Sequence, residues 1–516
     1  MSSYKNPVIK GFNPDPSVVL VDGVYYAVCS SFQFFPGIPV YASYDLINWA
    51  QIGNVIHSND QGVDLSVCQT HVVSDEDVHQ GGIFAATIRY HKGRFYVIST
   101  NTVPQEKGTD FKPYNFICHT DDIWGNKWSK VSSMDYFYAI DPSLFWDDDD
   151  KCYVQGAFIY GYDLPIANSI HQFEINPDTG EKLSEEYEIC SGWSKVISEG
   201  PHIYKKDDYY YMVFAEGGTY ADHMLCVARS KTIKGPFEPW EQNPLASNRK
   251  TDEYVQWVGH GELFQDANGD WWGMLLACRG GATDSHPLSR ETFLTPIDWP
   301  HNGWPKAQTI KVDMVTDRKL PPTNASIKKL VPEWFKKDLF AKNFFIRNPV
   351  MKNYEYDHQN KLVTLHPEPA SLSGEDGSTT FIGKRQPDLD SEFESTIYLS
   401  KSTFAKDVEA GITVYKDPPR YYTMGIDFNN KELFVFAKTL KEQKKVYQQP
   451  IDITDSVTLK ITSSEKEYKF WIKQSDTYEH VVTLNTADLS AMEFTGAIYG
   501  NYTHGTSGSI VFSDIE

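Results

Sequence analysis

Three carboxylates stand in short segments that share a local pattern. Asp15 lies in NPDPSVVL, Asp141 in AIDPSLFW and Glu199 in SEGPHIYK, each a little ahead of an aromatic run. Two further segments, GGIFAATIRY and VGHGELFQ, place Phe84 and His260 at comparable positions. Taken singly, an Asp-Pro or Glu-Gly step is most often a turn. Three acids brought together offer more. Hydrolysis of an acetal needs one carboxylic acid to protonate the leaving oxygen and a carboxylate across the sugar ring as base or nucleophile. A third carboxylate beside the acid raises its pKa, because two close like charges resist simultaneous ionisation.

Residues so far apart in the chain meet only in a repetitive fold. The aromatic runs GVYYAV from Gly23, GRFYVI from Gly93, KCYVQG from Lys151, DYYYMV from Asp208 and DWWGML from Asp270 are five copies of one unit. Their spacing is too long for a hairpin and suits one four-stranded propeller blade with its loops. The segments SYDLINW, HTDDIWGNKW and RSKTIKGPFEPW each join a polar turn to a closing Trp, so the unit recurs beyond its first hairpin. On this reading the five short segments are the innermost strands. Asp15, Phe84, Asp141, Glu199 and His260 then point at one end of a central channel.

From residue 314 to 335 the text DMVTDRKLPPTNASIKKLVPEW lacks periodicity and reads as a linker. Beyond it, EFESTIYL, AGITVY, YYTMGIDF, ELFVFAK, VTLKIT and YKFWIKQ alternate apolar and polar residues over strand lengths. The expected architecture is all-β: a five-bladed β-propeller over residues 1–315, followed by a β-sandwich over 335–516. A chain of 516 residues is long enough for both.

Composition narrows the partners. A formal net charge of −21 repels phosphate backbones and anionic bilayers, which argues against nucleic acid and membrane. Seven cysteines without CxxC spacing suggest reduced, buried thiols. The N-terminal Met-Ser-Ser-Tyr-Lys-Asn-Pro lacks an apolar signal core, so a cytoplasmic location is expected, or a secreted one had a leader been trimmed. Two sequons, at Asn324 and Asn501, are as many as chance supplies.

At this point the residues carry a resemblance. NPDPSVV, SSFQFFPGIPVYASYDLINW, IDPSLF, SEGPHIY, AEGGT and SRETF make the chain similar, over nearly its whole length, to family 43 of the glycoside hydrolases, the β-xylosidase and α-L-arabinofuranosidase group. The resemblance implies an inverting mechanism with Asp15 as general base, Glu199 as general acid and Asp141 as modulator of that acid. Such a pair stands roughly 6.5–9.5 Å apart to admit a water. It also implies that Arg290 contacts substrate, that Phe32 and Phe84 wall the sugar pocket, and that His260 touches substrate or binds a structural calcium in the propeller channel; no other cofactor is implied. Members of this group carry a C-terminal β-sandwich whose loop helps close the pocket; the sequence does not say which residue does so. Two departures bear on the pocket: Phe84-Ala85-Ala86 replaces the family's usual Trp-Ala-Pro, and Ser289 replaces a common Gly.

The function expected is exo-acting β-xylosidase on xylo-oligosaccharides, with α-L-arabinofuranosidase on arabinoxylan-derived sugars, or both activities, as the alternative. A non-catalytic sugar-binding propeller or an interaction scaffold would have no reason to keep three channel acids. A retaining fructosidase would show Asn-Asp-Pro-Asn near its N-terminus, and NPDPS lacks that order.

Overall fold

The computed structural model describes residues 1–516 except 75–77, 105–110, 159–168, 284, 321–326, 330, 376, 453–454, 475, 491–492 and 516. The sequon at Asn324 and part of the expected linker lie outside the described residues. Asn501 is fully buried in a strand, out of reach of a glycan.

Five antiparallel sheets form the N-terminal part. Their first strands are Ser17–Val21, Thr87–His91, Ile140–Trp146, Glu199–Lys206 and Val255–Gln265, and each touches the next around a closed ring. These are the five short segments, and the aromatic runs are the second strands. The inner hairpins of the first two blades turn on Asp22-Gly23 and Lys92-Gly93, all four residues at positive φ. That is the two-residue turn whose twist matches right-twisted strands. Buried rings and branched side chains, among them Tyr25, Val97, Val154, Phe214 and Trp272, fill the space between neighbouring sheets.

The ring is closed from its two ends. Strand Ser2–Lys5 pairs with Asp313–Thr316, and the Asn6 amide bonds both backbone groups of Leu294 at 2.9 Å. Residues 314–316, expected as linker, therefore belong to the strand Asp313–Thr316 of this closure; its four residues, with little periodicity of their own, become extended because the N-terminus supplies the partner. Short helices at Glu333–Lys337 and Leu339–Lys342 follow.

The C-terminal part is a sandwich. One sheet runs in the order Tyr354–Asp357, Leu362–Leu365, Gly508–Ser513, Ser391–Tyr398, Ser456–Ser463, Glu467–Gln474, Thr477–Asn485. The other runs Phe381–Arg385, Ile498–His504, Glu409–Asp417, Arg420–Asp427, Glu432–Lys438, Gln443–Pro450. Period-two alternation buries Val457, Leu459 and Ile461 against Ile412, Met424 and Val435. The two parts are joined by main chain as well as side chains: Phe345–Ile346 pairs with Phe34–Phe35 of the first blade, and Arg385 Nε donates to Phe12 O at 2.6 Å.

Candidate active site

Local backbone irregularities aim the functional side chains. Asp15 and Asp141 adopt φ of 53° and 52°, in the left-handed region that non-glycine residues seldom enter. The third-blade ladder breaks register between Ile140 and Ser143, the fourth between Glu199 and His202, and the fifth on both sides of Gly259. Bulges of this kind re-aim side chains beside active sites. The fourth blade uses Gly200 at φ 59°; a Cβ there would meet His260 Cε1 at 2.8 Å, so glycine is required for the imidazole to lie against the strand. Ser289, standing where the resemblance leads one to expect Gly, takes φ 55° and keeps the glycine conformation at some strain.

One pocket collects every residue singled out from the sequence. Asp15, Phe32, Phe84, Asp141, Glu199, His260 and Arg290 all line it. Arg290 Nη1 meets Asp15 Oδ1 at 3.2 Å, and Ser30 Oγ donates to Asp15 Oδ2. His260 Nδ1 lies between two acids, 3.8 Å from Asp15 and 3.7 Å from Asp141. Arg290 is 6% exposed and paired inside the pocket, so it is no surface salt bridge. Among the described residues the Glu199 carboxyl has no hydrogen-bond or ion-pair partner.

The surroundings divide the three acids. Burial by itself would raise the Asp15 pKa, but the Arg290 guanidinium, His260 and the Ser30 hydroxyl hold it below the usual carboxylate range. Burial pushes Asp141 up to about 6, against the pull of His260 and with a push from Asp15. Burial, then the charges of Asp141 and Asp15, raise Glu199 well above the ordinary glutamate value. The surroundings thus favour the ionised form of Asp15 and the protonated form of Glu199, with Asp141 between them.

The pocket has an aromatic wall. Phe32 meets Phe84 edge-to-face at 5.2 Å, and Phe84 meets Phe111 at 5.8 Å. Phe494 of the sandwich completes it, 5.7 Å from Phe32 and 6.0 Å from Phe84, and its carbonyl accepts from Arg290 Nη2 at 3.0 Å. This is the closing loop that the sequence left unplaced. No motif marks EFTG; its role comes from docking. Ile197, Thr219, Tyr220 and His79 also line the pocket and were not singled out. Thr219 ends the quoted AEGGT segment, the one of these that carried a signal.

Behind Phe494 a charge cluster secures the loop. Arg420 donates from Nε at 3.2 and 3.1 Å and from Nη2 at 2.5 Å to Asp417, and Nη1 meets Glu493 Oε1 at 3.0 Å. Lys416 Nζ donates to the carbonyls of Glu493, at 3.2 Å, and Thr495, while Thr495 Oγ1 returns a bond to Lys416 O at 2.7 Å. Burial and the Arg420 charge pull the Lys416 ammonium down to about 7, against Glu493 and Asp417.

His260 was also named as a metal ligand. Among the described residues no group of three or more His, Cys, Asp and Glu side chains is arranged to hold a metal ion. Arg89, on the inner strand of the second blade, meets His202, whose ring centroid lies 6.4 Å from that of His260.

With this geometry stand the matches to known proteins. The profile of glycosyl hydrolases family 43 matches residues 4–305, and that of the β-xylosidase C-terminal concanavalin A-like domain matches residues 335–515. The chain belongs to glycosyl hydrolases family 43. It is a glycosidase with a five-bladed propeller and a concanavalin A-like sandwich. Over 98% of this chain and 92% of the relative it is 32% identical to a non-reducing end α-L-arabinofuranosidase of Bacteroides ovatus. It is 25% identical to a β-xylosidase of Bacillus subtilis over 99% and 98%. Among solved structures, the Bacteroides ovatus xyloglucan PUL GH43B superposes with a TM-score of 0.85 at 29% identity, covering 99% of both chains. A xylan β-1,4-xylosidase of Bacillus halodurans gives 0.85 at 25% identity, covering 99% of this chain and 100% of that one.

Proposed function

We propose that this family 43 enzyme is an exo-acting, inverting hydrolase that releases a terminal pentose from xylan-derived oligosaccharides, a β-1,4-xylosidase. The observation that carries the reading is one pocket lined by all three acids, with Asp15 against Arg290 at 3.2 Å and held low in pKa while Glu199 is raised. Asp15 takes a proton from a water that attacks the anomeric carbon. Glu199, whose carboxyl has no partner among the described residues, gives its proton to the leaving oxygen, and Asp141 keeps that proton in place by its charge. Arg290 fixes the ionised state of Asp15 and presents further N–H groups to sugar hydroxyls. Phe32, Phe84 and Phe494 form apolar faces on which a sugar ring stacks. Closure of the wall by a loop from a second domain supports attack at a chain end, because a continuous chain has no way through.

The second reading, α-L-arabinofuranosidase, is favoured by the 32% identity to the Bacteroides ovatus arabinofuranosidase over nearly full length. A few wall residues decide between a pyranose and a furanose of the same composition. Parallel assays on p-nitrophenyl β-D-xylopyranoside and p-nitrophenyl α-L-arabinofuranoside, with Glu199→Ala and Asp15→Ala as controls, test both. Faster xyloside cleavage is expected; faster arabinoside cleavage promotes the second reading, and no release from either removes the catalytic one. NMR of the first-formed anomer checks inversion. We further place the enzyme in the cytoplasm, a location supported by seven buried, unpaired cysteines.

A further inference from the structure

Below the catalytic layer of the channel lies a second layer to which every blade contributes. Arg89, on the inner strand of the second blade, meets the Glu262 carboxylate of the fifth at 2.5 Å. It donates to Leu144 O at 3.0 Å and Ser143 Oγ at 3.2 Å in the third blade, and to His202 Nδ1 at 3.2 Å in the fourth. Glu262 accepts from Ser17 Oγ at 2.6 Å and from the Val18 N–H at 3.1 Å in the first blade. Ser17 Oγ accepts from the Ile88 N–H at 3.0 Å, which returns the circuit to the second blade. Both charges are sheltered, the Arg89 side chain 16% exposed and the Glu262 side chain 4%.

This layer is in register with the one above it. Ser17 follows Asp15 by two residues, Ser143 follows Asp141 by two, and Glu262 follows His260 by two. His202 follows Glu199 by three, across the fourth-blade bulge. Each of the four pocket residues is therefore followed, two or three positions along the chain, by a group that belongs to the Arg89–Glu262 network.

We propose that Arg89 is the resident cation of the propeller channel, a positioning residue that with Glu262 sets the spacing of Asp15, Asp141 and Glu199 and takes the place of a calcium ion there. Calcium requires six to eight oxygen ligands. Among the described residues, the oxygens of Leu144, Ser143, Ser17 and Glu262 in this layer are engaged by Arg89 or by one another. A guanidinium is also charged at every working pH, and a divalent ion beside it would be repelled. The planar fork reaches several acceptors at once, which a lysine ammonium does not.

Two arms test this. In the first, wild-type protein is treated with EDTA and then with calcium. Activity is expected to change less than about twofold and the unfolding midpoint to stay put, whereas about a tenfold loss restored by calcium overturns the proposal. In the second, Arg89→Lys is expected to lower kcat by about ten- to hundredfold at little change in KM and to shift the pH profile, because the acids lose their spacing. Arg89→Ala is expected to recover part of its kcat in millimolar guanidinium, with no such gain in wild type. A folded Arg89→Lys with wild-type kcat and pH profile overturns the positioning role. If Arg89→Ala does not fold, Arg89→Lys and the chelation arm decide. The kinetic readout rests on the hydrolase reading, but the unfolding readout does not; a failure of that reading shows separately, as absence of pentose release by wild type.

Discussion

In the sandwich, Arg420 faces two carboxylates, Asp417 and Glu493, and bonds both. In the propeller channel, Arg290 faces three and bonds one, Asp15. Both clusters are buried, and they lie on either side of Phe494. The difference is in how completely charge is matched. The sandwich cluster satisfies its carboxylates and serves to hold a loop. The channel cluster leaves Asp141 and Glu199 short of countercharge, and burial together with the charges of Asp141 and Asp15 raises the pKa of Glu199. A buried group left unmatched costs stability and supplies chemistry; a matched one does the reverse.

The contrast breaks most visibly at the unmatched end. Glu199→Ala and Asp15→Ala are each expected to lower kcat about 10²–10⁴-fold, measured by pentose release. The Glu199→Ala loss should be larger on xylobiose than on a p-nitrophenyl glycoside, whose leaving group needs little protonation, while the Asp15→Ala loss should be alike on both. At the matched end, Arg420→Met leaves two buried carboxylates without a partner and is expected to destabilise by about 3–5 kcal/mol in denaturant titration. Lesser effects are expected where the two clusters meet. Phe494→Ala should raise KM about tenfold, the cost of losing one aromatic face. Lys416→Met should raise it about threefold with kcat nearly unchanged, since the loop loses its anchor without touching the acids.

The pH dependence sharpens the same point. The proposed mechanism requires Asp15 ionised and Glu199 protonated, so the acid limb of kcat/KM should fall below the ordinary carboxylate range and the alkaline limb above it. Stability runs the other way for Glu199. Its folded pKa is raised, so the folded state holds an extra proton between the ordinary and the raised value, and stability is lost as pH rises through that window. Glu199→Gln should therefore unfold a few degrees higher than wild type at pH 8, with a smaller gain at pH 5, while inactive. An equal gain at both pH values would show that Glu199 is not the unmatched group.

Much of the site was legible because the propeller is repetitive. The Asp-Pro steps at 15 and 141, the Glu-Gly step at 199 and His260 occupy equivalent places in repeated units, and a ring of such units has one axis on which equivalent positions converge. Phe32 and Arg290 followed from the quoted family segments, and Phe84 from its place in the repeat. Phe494 and Lys416 left no such trace: EFTG and VYKD resemble any sandwich loop or strand, and their proximity to the pocket depends on how one domain docks on the other. The strand at residues 313–316 was missed for a related reason, its partner being more than 300 positions away.

What the sequence determined by itself was therefore everything that local pattern or repetition encodes: two all-β domains, five blades, and the identity of the three channel acids. What only the tertiary structure decided was electrostatic and interfacial. Which acid keeps its proton depends on Arg290 and burial, which loop closes the pocket depends on domain docking, and what the channel holds beneath the acids depends on Arg89 reaching three other blades. Charge and contact act through space, across distances in the chain over which a linear pattern carries no information.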